Sequence, residues 1–212
     1  MFSIKKILKD SYNFYLAKFV TIVGITAFVF FLAVLFNHIV DSVFEISSIL
    51  GILLGILIGV IGIVIEIGYL KYLLKLTSGN TPILGDLIEH TNLFWKYIFG
   101  NILLGLTVII GLVLAIVPGI YLALRFMFVP LILIDKEISI KEAFKRSTKL
   151  TSGVKWKLLG FSIIIVIIQA LIGILQFSKG GEIVLAAGLV LIAPFVTISF
   201  IKVYRALQGL DS

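Results

Sequence analysis

Residues 48–70 read SILGILLGILIGVIGIVIEIGYL, with Glu66 as their single charge. At 1.5 Å per residue this run is long enough to cross roughly 30 Å of hydrocarbon. Backbone groups in hydrocarbon must bond one another, so the run is predicted to be a transmembrane helix. Five more apolar runs flank it, at 19–40, 98–117, 118–134, 158–177 and 183–201. The expectation is an all-α, polytopic helical bundle of about six spans, forming one integral membrane domain over 1–212. Pro118 and Gly119 are expected to make the tight turn between the third and fourth runs. One span plus a re-entrant segment is the open alternative there. The first run is too long for a signal h-region and no A-x-A site follows it, so it reads as a retained span.

Composition agrees. The chain is 60% hydrophobic with a mean hydropathy of +1.21, whereas soluble domains are roughly 45–50% apolar. A domain of 212 residues could not hide that excess, because much of its surface would still face water. The net charge of +7 is spread mainly between the apolar runs. Its natural counter-charge is therefore a membrane surface, and no nucleic-acid motif is present. The absence of cysteine excludes disulfides and thiolate chemistry.

The basic residues orient the spans. Sixteen of the eighteen lysines and arginines fall in the N-terminal segment, after the second and fourth runs, and in the tail. The opposite loops hold Lys179 beside Asp41, Glu45 and Glu182. By the positive-inside rule the basic side is cytoplasmic, and both termini with it, in the plasma membrane.

Two basic segments share a register. Ser3, Ile4, Lys5, Lys9 and Ser11 recur as Ser139, Ile140, Lys141, Lys145 and Ser147. Both place apolar residues at helical spacing, as interfacial amphipathic helices do. The segment 82–89 keeps the apolar spacing but is acidic, and reads as a middle copy. Three helix-plus-hairpin units, 1–78, 79–136 and 137–212, are one organisation this permits. Chance resemblance between short amphipathic helices is the other. The twice-used KLTSG, at 75–79 and 149–153, is ordinary helix-stop chemistry.

Gly51, Gly55 and Gly59 form a small-residue stripe suited to close helix packing, within the monomer or between copies. Glu66 and Arg125 are the clear intramembrane charges, and such groups are expected to face the bundle, water or a partner. They are candidates for a ligand or lipid site, as a pair or separately. Lys141, Lys145, Arg146 and Lys149 are the candidate anionic-lipid surface. Tyr12, Tyr15, Trp95, Tyr97 and Trp156 suit an interfacial aromatic belt. His38 and His90 lie on opposite sides, so no shared metal site is expected. No nucleophile elbow, P-loop or dinucleotide fingerprint occurs, and no cofactor or enzyme activity is expected.

The run Val117, Pro118, Gly119, Ile120 and Tyr121, then Arg125, then 141–147 (KEAFKRS) and 153–156 (GVKW), resembles the six-span bacterial and archaeal membrane proteins related to the YciC family. It is also similar to the membrane domain fused to some glycerophosphodiester phosphodiesterases. The likeness is best from about Gly68 to Leu175. It implies the six-span fold and no catalytic residues; the phosphodiesterase domain has no counterpart here. The leading expectation is a non-enzymatic membrane protein that organises or senses lipid, or is the membrane partner of another protein. The rival is a small transporter or channel with a polar site at Arg125 and Glu66, although few polar residues are available to line a path. Expected partners are membrane lipids with anionic headgroups, and either a second copy or another protein.

Overall fold

The computed structural model describes residues 3–175 and 181–209, and every regular element among them is helical. In chain order these are α1 (Ile4–Ala17), α2 (Phe19–Ile46), α3 (Ser48–Thr77), α4 (Phe94–Leu114), α5 (Ile116–Phe126), α6 (Val129–Lys136), α7 (Ile140–Thr151), α8 (Lys155–Leu175) and α9 (Gly181–Gln208). Five stretches are long and apolar enough to cross a membrane: α2, α3, 84–114, 116–136 and 185–208. A sixth comes from α8, joined to α7 through a bend of 98°. The chain is thus an all-α, multi-pass membrane protein. The loop expected around Lys179 and the end of the fifth run lie outside the described residues.

The helices run further than the apolar runs that nucleate them. α2 and α3 continue to Ile46 and Thr77 because helix propensity persists into the polar flanks, with Ser47 the sole non-helical residue between them. Ser47 is extended and its hydroxyl accepts from the backbone of Leu50, a helix N-cap. Between α4 and α5 the break falls at Ala115, which is extended at φ −175°. This corrects the expected turn at Pro118 and Gly119. Pro118 lies instead in the first turn of α5, where a helix has no use for its missing N–H. Gly119 still has a packing role, since a Cβ on it would strike Leu112 in α4, and one on Gly111 would sit 2.9 Å from the Gly119 Cα.

The buried core gathers at the basic end. Its hub is α6, where Val129 and 131–134 are buried with α3, α4 and α7 packed around it, and where Asp135 accepts from the Tyr204 hydroxyl of α9 at 2.9 Å. Phe161 of α8 meets Phe200 of α9 edge to face, and Phe128 packs near Tyr204. Away from this end, α2, α3 and α4 expose large apolar side chains such as Phe31, Ile56 and Val113. In a membrane protein that is the lipid-facing surface.

The glycine stripe contributes unevenly. A Cβ on Gly51 would lie 2.6 Å from the Phe44 backbone, so α2 and α3 approach closely there. One on Gly55 would make an ordinary 3.6 Å contact, and one on Gly59 would meet nothing within 4 Å. Gly68, outside the stripe, is tighter: its Cβ would overlap the Leu87 backbone. The expected middle amphipathic helix is also absent from the described residues. Pro82 and Gly85 leave too short a run, and 84–87 forms a 3-10 turn pinned by Asp86. The Asp86 carboxylate accepts from the Ile83 N–H at 2.9 Å and pairs with Lys75 at 2.6 Å.

Candidate functional site

The two amphipathic helices are docked on protein. α1 buries Ile7, Ser11 and Tyr15, and α7 buries Ala143, Ser147 and Thr151. These are equivalent positions in the register shared by 3–11 and 139–147, each a stripe at i, i+4, i+8 that keeps one line along a helix. α1 packs chiefly on α9, and α7 on α5 and α6.

Both are fastened where proline interrupts a partner helix. Pro194 lies inside α9 and cannot donate to the ladder. Nearby, the Tyr15 hydroxyl donates to the Leu191 carbonyl at 2.8 Å. Pro130 opens α6, and the α5–α6 break leaves the Arg125 carbonyl in need of a donor. Ser147 supplies it at 2.9 Å, and the Thr151 hydroxyl lies 3.3 Å from the same carbonyl while also reaching the Ser147 carbonyl at 3.0 Å. The Arg125 side chain donates from Nε to Thr148 Oγ1 at 3.2 Å and lies over the Phe126 ring.

Arg125 and Glu66 are therefore not brought together, and no ion pair joins them among the described residues. Glu66 instead accepts from the Tyr97 hydroxyl at 2.8 Å. Tyr15 and Tyr97 are correspondingly buried, in place of the expected belt, while Tyr12, Trp95 and Trp156 are exposed. Thr26 bonds both the Ile22 carbonyl of its own helix and the Tyr69 hydroxyl of α3, at 2.8 and 2.9 Å. Asn101, Thr107 and Thr197 each donate to the carbonyl four residues earlier.

At the basic end, cations cap helix C-termini, where carbonyls lack partners and the dipole favours positive charge. Lys71 donates to the Ile134 carbonyl and pairs with Glu137 at 2.7 Å. Lys96 donates to the Glu137 carbonyl at 3.1 Å. Glu137 ends α6 in the left-handed region at φ 54°. Lys71 beside it holds its carboxyl below the usual carboxylate range, with burial opposing. Arg205 reaches the Leu74 carbonyl at 2.5 Å and the Ser78 hydroxyl.

Beside this layer a cleft of about 980 Å³ opens between α6, α7 and the end of α9. Lys136, Lys145, Arg146 and Lys149 line it, with Glu142 and Gln208. Arg146 is paired with Glu142 at 3.2 Å, and Lys136 with Asp135 at 3.0 Å. Among the described residues no carboxylate comes within ion-pair distance of Lys145 or Lys149. Of the four residues expected to form a basic surface, three line the cleft. Lys141 is exposed outside it. Lys136 and Gln208 join the site from α6 and α9. Sequence spacing along α7 could not have shown them, because they belong to other helices.

Asp86, Glu89 and His90 bring three ligand-type atoms within 4.8 Å of one another. Asp86 is already committed to Lys75 and the Ile83 amide, which makes this cluster a fastening of its loop to α3.

No protein-family model matches the chain, and no curated protein or solved structure matches it significantly.

Proposed function

We propose that this protein binds anionic lipid headgroups in the α6–α7–α9 cleft, and organises or senses such lipid without turning it over. One observation carries the reading: Lys145 and Lys149 line a large open cleft, with no carboxylate among the described residues within ion-pair distance of either. Lys136 and Arg146 accompany them, and Glu142, the one acid in the lining, is paired with Arg146. An anionic headgroup would gain about 1 kcal/mol per nearby lysine or arginine from such a surface. On this reading the basic end is cytoplasmic, where anionic headgroups meet it, and α7 presents a fixed charge pattern because its opposite stripe is locked to Arg125. The sequence resemblance to YciC-related six-span proteins supports the membrane architecture and supplies no catalytic group. A transport path has little support, since Asn101, Thr107 and Thr197 spend their donors on their own helices.

The test is thermal unfolding in nanodiscs as phosphatidylglycerol replaces phosphatidylcholine. Wild type should rise in Tm with anionic lipid, and Lys145→Gln with Lys149→Gln should lose most of that rise. An equal rise in both would overturn the proposal.

A further inference from the structure

We propose that the groove between α5 and α8 seats one anionic phospholipid, its phosphate on Lys155 and an acyl chain along the groove. This site is separate from the α6–α7–α9 cleft and does not rest on the reading of that cleft.

The corner between α7 and α8 builds the groove. α7 packs on α5 and α6, and the chain then turns through 98° before α8 begins at Lys155. Gly153 allows the turn, with a left-handed φ of 76°. The start of α8 comes against α5, where Val117, Ile120, Tyr121 and Leu124 recur at helical spacing along one face. A groove of about 390 Å³ lies between them, with Leu159 on its α8 side and Lys155 and Trp156 completing that wall. Apart from Lys155, every lining side chain is aliphatic or aromatic.

Lys155 selects the occupant. Its ammonium is half-buried and stands over the Tyr121 ring, 4.8 Å from the centroid. The ring attracts the cation through its quadrupole but brings no counter-charge. An ammonium has three N–H donors. Among the described residues no carboxylate lies within ion-pair distance of it, and its side chain makes no hydrogen bond. An anion is therefore called for at one end of an apolar trough. Exposed Trp156 stands beside Lys155, as an amphipathic ring does at headgroup depth. A soluble anion would answer Lys155 and leave the trough bare. A phospholipid answers both, with phosphate oxygens accepting from Nζ and a chain covering Ile120 and Leu159. A zwitterionic headgroup brings its own cation beside Lys155, so an anionic one is favoured.

Trp156 lines the groove and reports on it. The chain has two tryptophans, so Trp95→Phe leaves Trp156 as the single fluorophore. The full-length variant in phosphatidylcholine vesicles is titrated with phosphatidylglycerol or phosphatidylcholine brominated on the acyl chain, whose bromine quenches a tryptophan it touches. Phosphatidylglycerol should quench at about one fifth the mole fraction that phosphatidylcholine needs, the factor one lysine gives an anionic headgroup. Lys155→Gln in this background should bring the two lipids level, and Lys155→Arg should keep the preference. Lys145→Gln with Lys149→Gln should keep it too. Equal quenching by the two lipids with Lys155 in place would overturn the inference and leave the cleft reading standing. A preference that survives Lys155→Gln but vanishes in the Lys145 and Lys149 double variant would assign the signal to the cleft, and would equally overturn it.

Discussion

The attachment of α7 to Arg125 gives a prediction with an uncommon signature. Ser147 and Thr151 are fully buried, and Ser147 donates to the Arg125 carbonyl at 2.9 Å. The single Thr151 hydroxyl proton is shared between that carbonyl at 3.3 Å and the Ser147 carbonyl at 3.0 Å, so Thr151 is the reserve donor. Ser147→Ala leaves Thr151 in place, and Thr151→Val keeps side-chain shape and leaves Ser147 in place. Each single change should cost about 0.6–1 kcal/mol, the net worth of one hydrogen bond in such proteins. The double change removes both donors and strands a buried carbonyl, which adds about 1–3 kcal/mol. The double variant should therefore lose clearly more than the sum of the singles, an excess that a double-mutant cycle isolates. Unfolding in nanodiscs would be followed by circular dichroism for all four proteins. A strictly additive double, or a double as stable as wild type, would show that α7 is not held to the α5–α6 break in this way.

Further expectations follow from the same geometry. Gly68→Ala should destabilise by about 1–3 kcal/mol, because its Cβ meets Leu87 backbone that no rotamer change can move aside. Gly59→Ala should instead stabilise by up to about 1 kcal/mol, since the site is open and alanine is the better helix former; thermal unfolding of the pair, and a reversed order, would refute the packing described. Glu137, whose folded pKa is lowered by Lys71, should contribute stability above about pH 4.3, the unfolded carboxylate value. That contribution is lost as pH falls through the lower folded value, so wild type and Glu137→Gln should converge on acidification, and a constant gap from pH 7 to 3 would contradict it. Reporter fusions after Gly79 and Gly153 should read cytoplasmic and one after Asp41 external; an external reading at Gly153 would reverse the proposed orientation.

The apolar runs made the spans legible, because hydrocarbon leaves the backbone little choice but helix. Ser139, singled out only as a position of the repeat, proves to be the cap of α7, its hydroxyl accepting from the Glu142 N–H. The break before α5 was not legible, since Pro118 and Gly119 carry turn chemistry while Ala115 carries none. Spacing marked Gly51, Gly55 and Gly59 alike, but only the position of Phe44 makes Gly51 indispensable among them. Arg125 was identifiable as a costly charge, yet its partner depends on which helix lies against α5. That helix is α7, so its partner is a threonine hydroxyl and not the Glu66 carboxylate. Gln208 gave no sequence signal.

Native mass spectrometry of the protein released from membranes of mixed lipid tests the central claim most directly. Wild type should retain anionic lipid in preference to phosphatidylcholine. Lys145→Gln with Lys149→Gln should lose that retention, whereas Lys141→Gln, outside the cleft, should keep it. Retention of anionic lipid by the double variant at the wild-type level, or equal loss with Lys141→Gln, would contradict a headgroup site in the α6–α7–α9 cleft.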